Sequence, residues 1–252
     1  MSTQGHGPDL VLLHGWAMHS GVFDELIPDL IKDFRVHCID LPGHGQSDYN
    51  GEMDSLLHVC EAVQPYTPPQ AVVLGWSLGG QVALQLAQLM QLRALVLVST
   101  TPKFVSDATW SYGMRPEVFA QFFARLQQNL NATVQDFLSL QVRGDVHAAE
   151  TLASLKAGLL RYPPQPEALH AGLGILRDVD LRANLPAIEV PALVVAGEYD
   201  RIAHPDAAQF LATQLPQAHY QLCKRAGHAP FISHRDSFLQ QLRSFLTSLA
   251  PL

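Results

Sequence analysis

The pentapeptide Gly75-Trp76-Ser77-Leu78-Gly79 is the feature that most restricts how this chain can fold. It follows the apolar run Ala71-Val72-Val73-Leu74, which reads as a short buried strand. It opens into a stretch that places Val82, Ala83, Leu86, Ala87 and Met90 on one face at helical spacing. Gly-x-Ser-x-Gly between a strand and a helix is the sequence form of a turn so tight that glycines must flank the serine. Such a turn lifts the Ser77 hydroxyl above the edge of a sheet and sets it at a helix N-terminus. There, free backbone N–H groups stabilise developing negative charge. The alternative is a glycine-rich turn whose serine only caps the helix.

The surroundings of the motif predict an α/β architecture. Strand-like runs recur at residues 10–13, 35–39, 71–74, 94–98, 192–196 and 219–223. The first five are short and nearly all apolar, as strands buried on both faces of a parallel sheet are. Helical patterns lie between most of them, at residues 22–31, 53–64, 80–89 and 204–215. Strand–helix alternation implies a mostly parallel sheet with helices on both faces. The alternation breaks between about Lys103 and Ala183, where the pattern is helical only, at residues 116–126, 132–142 and 148–160. The breaker Tyr162-Pro163-Pro164-Gln165-Pro166 follows, then another helix. Residues 1–102 and 184–252 are therefore expected to form the sheet core, and residues 103–183 an inserted helical cap.

A serine hydroxyl needs a general base, usually histidine, and that base needs an orienting carboxylate. In open α/β sheets functional groups sit just past the C-terminal ends of strands. Past the run 192–196 comes Gly197-Glu198-Tyr199-Asp200, which makes Asp200 the first choice of carboxylate and Glu198 the runner-up. Past the run 219–223 comes Lys224-Arg225-Ala226-Gly227-His228-Ala229-Pro230, which makes His228 the base, with His234 as the lesser candidate. An oxyanion hole needs two convergent donors. The N–H of Leu78, immediately after the serine, is one. The N–H of Trp16, in the loop Leu13-His14-Gly15-Trp16 after the first strand, is the natural second. His14 is expected to brace that loop. The Trp16 and Trp76 rings are candidates to line an apolar acyl pocket, with ordinary packing as the alternative.

Other chemistries find little support. The net charge of −7 gives no global basic field for nucleic acid. No apolar run has the length to span a bilayer, and the first residues lack the features of a signal peptide. Cys38, Cys60 and Cys223 form neither a disulfide framework nor a zinc ribbon. The loop Asp40-Leu41-Pro42-Gly43-His44-Gly45 has no Gly-Lys-Ser/Thr after it, so it is no P-loop. No cofactor and no metal are expected, and a cytoplasmic monomer is the simplest expectation.

Three blocks together resemble the α/β-hydrolase superfamily over nearly the full chain: His14-Gly15-Trp16, Asp40-Leu41-Pro42-Gly43-His44-Gly45 and Gly75-Trp76-Ser77-Leu78-Gly79-Gly80. The order Ser77, Asp200, His228 matches that superfamily's Ser…Asp…His order. More narrowly, the chain resembles the pimeloyl-acyl-carrier-protein methyl ester esterase family of biotin synthesis. The Trp before the serine, Phe137-Leu138-Ser139-Leu140-Gln141 and His228-Ala229-Pro230-Phe231-Ile232-Ser233-His234 carry that narrower likeness. The resemblance implies the α/β-hydrolase fold, a nucleophile at Ser77, a base at His228 and a carboxylate at Asp200. It also implies substrate contacts from Trp16, Ser77, Leu78 and the segment Phe137 to Gln141, and a carrier-bound methyl ester as substrate. General short-chain esterases and lactonases of the same fold are the alternative reading.

Two departures accompany the resemblance. Such proteins carry extra strands ahead of the first motif, whereas only about nine residues precede Leu10. The leading edge of the sheet is therefore expected to be shortened or missing. An acidic carrier protein also favours basic residues around the cap mouth. The cap offers Arg115, Arg125, Arg143, Lys156 and Arg161, but its eight Lys and Arg balance eight Asp and Glu.

Overall fold

A computed structural model describes residues 1–51 and 54–249. Seven strands form one sheet in the order β1-β3-β2-β4-β5-β6-β7. They are β1 (Ser2–Gly5), β2 (Asp9–Leu13), β3 (Arg35–Ile39), β4 (Val72–Trp76), β5 (Ala94–Val98), β6 (Ala192–Gly197) and β7 (Ala218–Cys223). All neighbouring pairs are parallel except β1 with β3. Every residue of β4, β5 and β6 is buried, which is why those runs carry no polar alternation.

The leading edge is shortened, to the four-residue β1. It is not missing: β1 pairs antiparallel with β3, Ser2 opposite Cys38 and Gly5 opposite Arg35. All four residues of β1 are exposed. An edge strand of this kind is held by backbone hydrogen bonds and not by burial, so its sequence Ser-Thr-Gln-Gly shows no hydrophobic pattern to read.

Ten α-helices complete the chain among the described residues. Core helices are α1 (Ile27–Leu30), α2 (Leu56–Val63), α3 (Leu78–Leu89), α8 (Pro205–Gln214), α9 (Pro230–Ser233) and α10 (Arg235–Ser248). Four more, α4 (Pro116–Gln128), α5 (Leu130–Gln141), α6 (Ala148–Arg161) and α7 (Pro166–Asp178), lie between β5 and β6 in the chain. The helix expected over 22–31 is instead a 3-10 turn, Ser20–Phe23, followed by the short α1. Pro28 explains the break, because its ring would clash with the carbonyl four residues earlier in a continuous helix. The start of the helix expected from Met53 lies outside the described residues; α2 begins at Leu56, capped by the Ser55 side chain.

The sheet order turns back at β2. The chain leaves β2 for β3 on one side and reaches β4 on the other. Loops after β2 and β4 therefore diverge and leave a crevice at the strands' C-terminal ends, the usual place for a site in such sheets.

Candidate active site

Ser77 sits between β4 and α3 with φ 55° and ψ −117°. A non-glycine residue with positive φ is strained by about 1–3 kcal/mol, and its neighbours hold it there. The Ser77 N–H donates to Val98 O at 2.9 Å. Its carbonyl accepts the Thr100 hydroxyl at 2.7 Å. The flanking glycines are needed for close approach. A Cβ at Gly75 would meet Gly79 O at 2.3 Å, and one at Gly79 would meet Leu13 O at 2.3 Å. Strand β4, helix α3 and the end of β2 are thus packed backbone to backbone around the serine.

His228 lies in the turn after β7, almost fully buried. Its Nδ1–H donates to Asp200 Oδ2 at 2.8 Å. Asp200 is buried too, and its other oxygen accepts the N–H groups of Ile202 and Ala203 at 2.8 and 3.0 Å. With both carboxylate oxygens occupied, Asp200 fixes the imidazole in one orientation and one tautomer. His228 Nε2 is buried and has no protein partner among the described residues. This leaves the nitrogen a base would use bare.

The loop after β2 runs directly alongside the serine, since a Cβ at Gly15 would lie 3.1 Å from Ser77 Cβ. Leu78 is the first residue of α3, whose leading N–H groups have no acceptor within the helix. His14 ties the loop down: its Nδ1–H donates to Gly15 O at 2.8 Å and its Nε2 accepts the Leu41 N–H at 2.9 Å. Burial, with His44 beside it, pushes the His14 pKa down to about 3, so the ring is a neutral brace.

The two tryptophans have different surroundings. Trp16 packs edge-on against Phe137 at 4.9 Å and near Phe122 at 5.7 Å, and its ring N–H donates to Leu169 O at 2.9 Å. It joins the core loop to helices α4, α5 and α7. Trp76 stands behind the histidine: its Nε1–H donates to His228 O at 2.8 Å, and its ring packs on His228 and Phe231. These contacts are those of the packing alternative, in support of the His228 turn.

The runner-up residues sit elsewhere. Glu198 accepts the Arg225 N–H at 2.9 Å and the Lys224 ammonium at 3.1 Å. His234 is engaged by the Ser233 hydroxyl at 2.8 Å and stacks near His147.

The segment 137–141 is divided by its helical geometry. Phe137 faces Trp16, and Leu138 is fully buried. The Gln141 carbonyl accepts the His228 N–H at 2.8 Å, while both polar atoms of its side chain are buried without a protein partner. Leu140 is half-buried. Ser139 is exposed, with its hydroxyl returned to Gln135 O at 3.0 Å. Ser139 is therefore on the outer face of α5, and the five residues are spread over its buried and exposed sides. Sequence reasoning missed Asp145. Its buried carboxylate accepts the Gly227 N–H at 2.7 Å and the His147 N–H at 2.8 Å. Among the described residues, no group of three or more His, Cys, Asp or Glu is arranged to hold a metal ion.

A tight serine turn, a carboxylate-held histidine and an open-ended parallel sheet define a class, and the sequence comparison gives the same one. The profile of the alpha/beta hydrolase family matches residues 10–241, and the chain belongs to that family. The fold of an esterase from Exiguobacterium antarcticum superposes with a TM-score of 0.90 at 22% identity, covering 98% of this chain and 94% of that one. Two relatives named pimeloyl-[acyl-carrier protein] methyl ester esterase place it more narrowly. The one from Nitrosomonas europaea is 43% identical over 95% of this chain and 96% of its own. The one from Stenotrophomonas maltophilia is 41% identical over 100% of this chain and 97% of its own.

Proposed function

We propose that this chain is a serine carboxylesterase that hydrolyses the methyl ester of a pimeloyl chain carried on acyl carrier protein. The reaction class and the substrate are those named for its 41–43% identical relatives. The observation that carries the catalytic reading is His228, with Nδ1 bound to Asp200, Nε2 bare, and its carbonyl held by the ring N–H of Trp76, the residue before the strained Ser77.

The chemistry follows from that arrangement. Ser77 Oγ attacks the ester carbonyl while His228 Nε2 takes its proton. The carbonyl oxygen becomes an oxyanion, which the N–H groups of Trp16 and Leu78 receive. Asp200 stabilises the imidazolium. Collapse expels methoxide, which leaves as methanol with the proton from His228. An acyl-enzyme remains on Ser77. Water, deprotonated by His228, then attacks it and releases the free carboxylate. The helices α4–α7 serve as the cap. The acyl chain runs beneath them, along the Trp16, Phe122 and Phe137 rings, whose apolar edges suit methylene groups. Gln141 offers the polar contact at the His228 end of that path.

The test is kcat/KM on pimeloyl-acyl-carrier-protein methyl ester and on free dimethyl pimelate, with Ser77→Ala as the blank. Ser77→Ala is expected to cost at least about 10³-fold. Hydrolysis that survives in Ser77→Ala would remove the serine mechanism. Equal rates on the two esters would leave a general short-chain esterase.

A further inference from the structure

Both backbone polar groups of Ser77 are bound to the end of β5. The N–H donates to Val98 O at 2.9 Å, and the carbonyl accepts the Thr100 hydroxyl at 2.7 Å. Between those two partners lies Ser99, with φ 46°. Trp76 is opposite Val98 in the sheet register, so Ser77 and Ser99 are each the first residue past a strand end. Two neighbouring strands thus end in non-glycine residues with positive φ, a backbone that persists only where its surroundings hold it. The Ser99 N–H is anchored to Val195 O of β6 at 2.8 Å. Its turn brings Thr100 back onto β4.

Thr100 is buried and closely fitted there. A Cβ at Gly80 would lie 2.6 Å from Thr100 Cβ and 2.7 Å from its Oγ1. Gly80 therefore leaves room for this side chain, a task separate from the backbone packing that Gly75 and Gly79 permit. The Ser77 carbonyl is not left to helix α3 alone. In a regular helix it would accept the N–H four residues on, but the Gln81 N–H lies 3.4 Å away and the Gly80 N–H 2.9 Å. The Thr100 hydroxyl makes the shortest of the three contacts.

That carbonyl shares a peptide with the Leu78 N–H. A trans peptide is planar, and its C=O and N–H point in opposite directions. Fixing Ser77 O therefore aims the Leu78 N–H. A donor on the carbonyl oxygen also polarises the amide and strengthens the N–H at its other end. We infer that Thr100 is a positioning residue for the oxyanion hole, aiming and polarising the Leu78 N–H through the Ser77 carbonyl. The inference rests on the serine mechanism proposed above and is independent of which acyl group is cleaved. Acylation and deacylation both pass through an oxyanion, so both slow together when this hydroxyl is lost, and KM changes little.

The experiment compares wild type, Thr100→Val and Thr100→Ser on p-nitrophenyl butyrate, with Ser77→Ala as the blank. It also measures inhibition by hexyl trifluoromethyl ketone and by hexyl methyl ketone. Ser77 Oγ adds to the first, its proton passes to His228 Nε2, and the carbonyl oxygen becomes an oxyanion, as in the transition state. The second binds as the ketone and carries no such charge. Thr100→Val is expected to lower kcat about tenfold, short of the roughly hundredfold or more that follows outright loss of an oxyanion donor. Its KM is expected to stay within about twofold. Affinity for the trifluoromethyl ketone is expected to fall about tenfold and that for the methyl ketone to stay within about twofold. Thr100→Ser keeps the hydroxyl and is expected to recover to within about threefold of wild type. Thr100→Ala, which adds no bulk, carries the same comparison if Thr100→Val does not fold. A wild-type kcat in the folded variant overturns the inference. Equal loss of affinity for both ketones also overturns it, because the hydroxyl would then only be stitching β5 to the serine turn. Thr100→Ser as slow as Thr100→Val overturns it as well. A wild type with no Ser77-dependent turnover overturns the serine mechanism and this role together.

Discussion

Asp145, in the loop after α5, accepts the backbone N–H of Gly227 at 2.7 Å, one residue before His228. The Gln141 carbonyl accepts the next N–H, that of His228 itself, at 2.8 Å. The turn that presents the histidine is therefore held by the segment between β5 and β6 as well as by Trp76 at the end of β4. Gly227 permits the approach, since a Cβ there would meet Gln141 O at 2.4 Å. Removing the Asp145 acceptor strands a buried N–H, at a cost of about 1–3 kcal/mol. Asp145→Ala is expected to lower kcat roughly tenfold, counted per titratable active site, with KM within about twofold. Asp145→Asn keeps one acceptor and is expected to fall between. Asn129→Ala, which removes only the α5 cap bond to Ala132, serves as the control for loosening that segment. A wild-type kcat in Asp145→Ala would show that the core alone positions His228.

Ser77 and its strain can be separated from its chemistry. At φ 55° and ψ −117° a glycine is relaxed and an alanine is not. Ser77→Gly is expected to be more stable than Ser77→Ala by about 1 kcal/mol in urea unfolding, though both are inactive. Equal stability of the two would mean that the turn stores no strain.

Gly172 on α7 faces the ring of Trp16, and a Cβ there would meet Trp16 Cδ1 at 2.7 Å. Helix propensity alone favours Gly→Ala by about 1 kcal/mol. The ring cannot step aside freely, because its N–H is bound to Leu169 O. Gly172→Ala is therefore expected to gain no stability and to lower kcat/KM several-fold through displacement of Trp16. A rise in Tm with unchanged kinetics would show that the ring yields at no cost.

The neutral His14 gives stability a sign with pH. Its folded pKa lies near 3, held down by burial, against about 6.5 in the unfolded chain. Between those values the unfolded state binds a proton that the folded state refuses. The contribution is thus complete above about pH 6.5 and is lost progressively as pH falls toward about 3. His44, also lowered by burial, faces the same ring and adds in the same direction, while Asp40 favours the charged form. His14→Gln is expected to flatten the decline of unfolding free energy between pH 6 and 4 by up to about one proton per molecule. An unchanged slope in the variant would assign the acid sensitivity to other groups.

What the sequence determined by itself is mostly local. Gly75 and Gly79, on either side of Ser77, have to produce a tight turn, because a side chain at either would clash with neighbouring backbone. The buried strands are legible because a strand covered on both faces is apolar throughout. Asp200 and His228 could be singled out because strand ends in a parallel sheet converge on one edge. The tertiary structure alone decided the rest. Only the folded chain brings Asp200 Oδ2 to His228 Nδ1 and turns Glu198 toward Lys224. Strand β1 is fixed by backbone pairing with β3, which leaves no mark on side-chain pattern. Trp76 supports the His228 turn through its ring N–H, and Asp145 grips Gly227 across 82 positions of sequence. Contacts of that range depend on where the helices between β5 and β6 settle, and short-range periodicity carries no information about it.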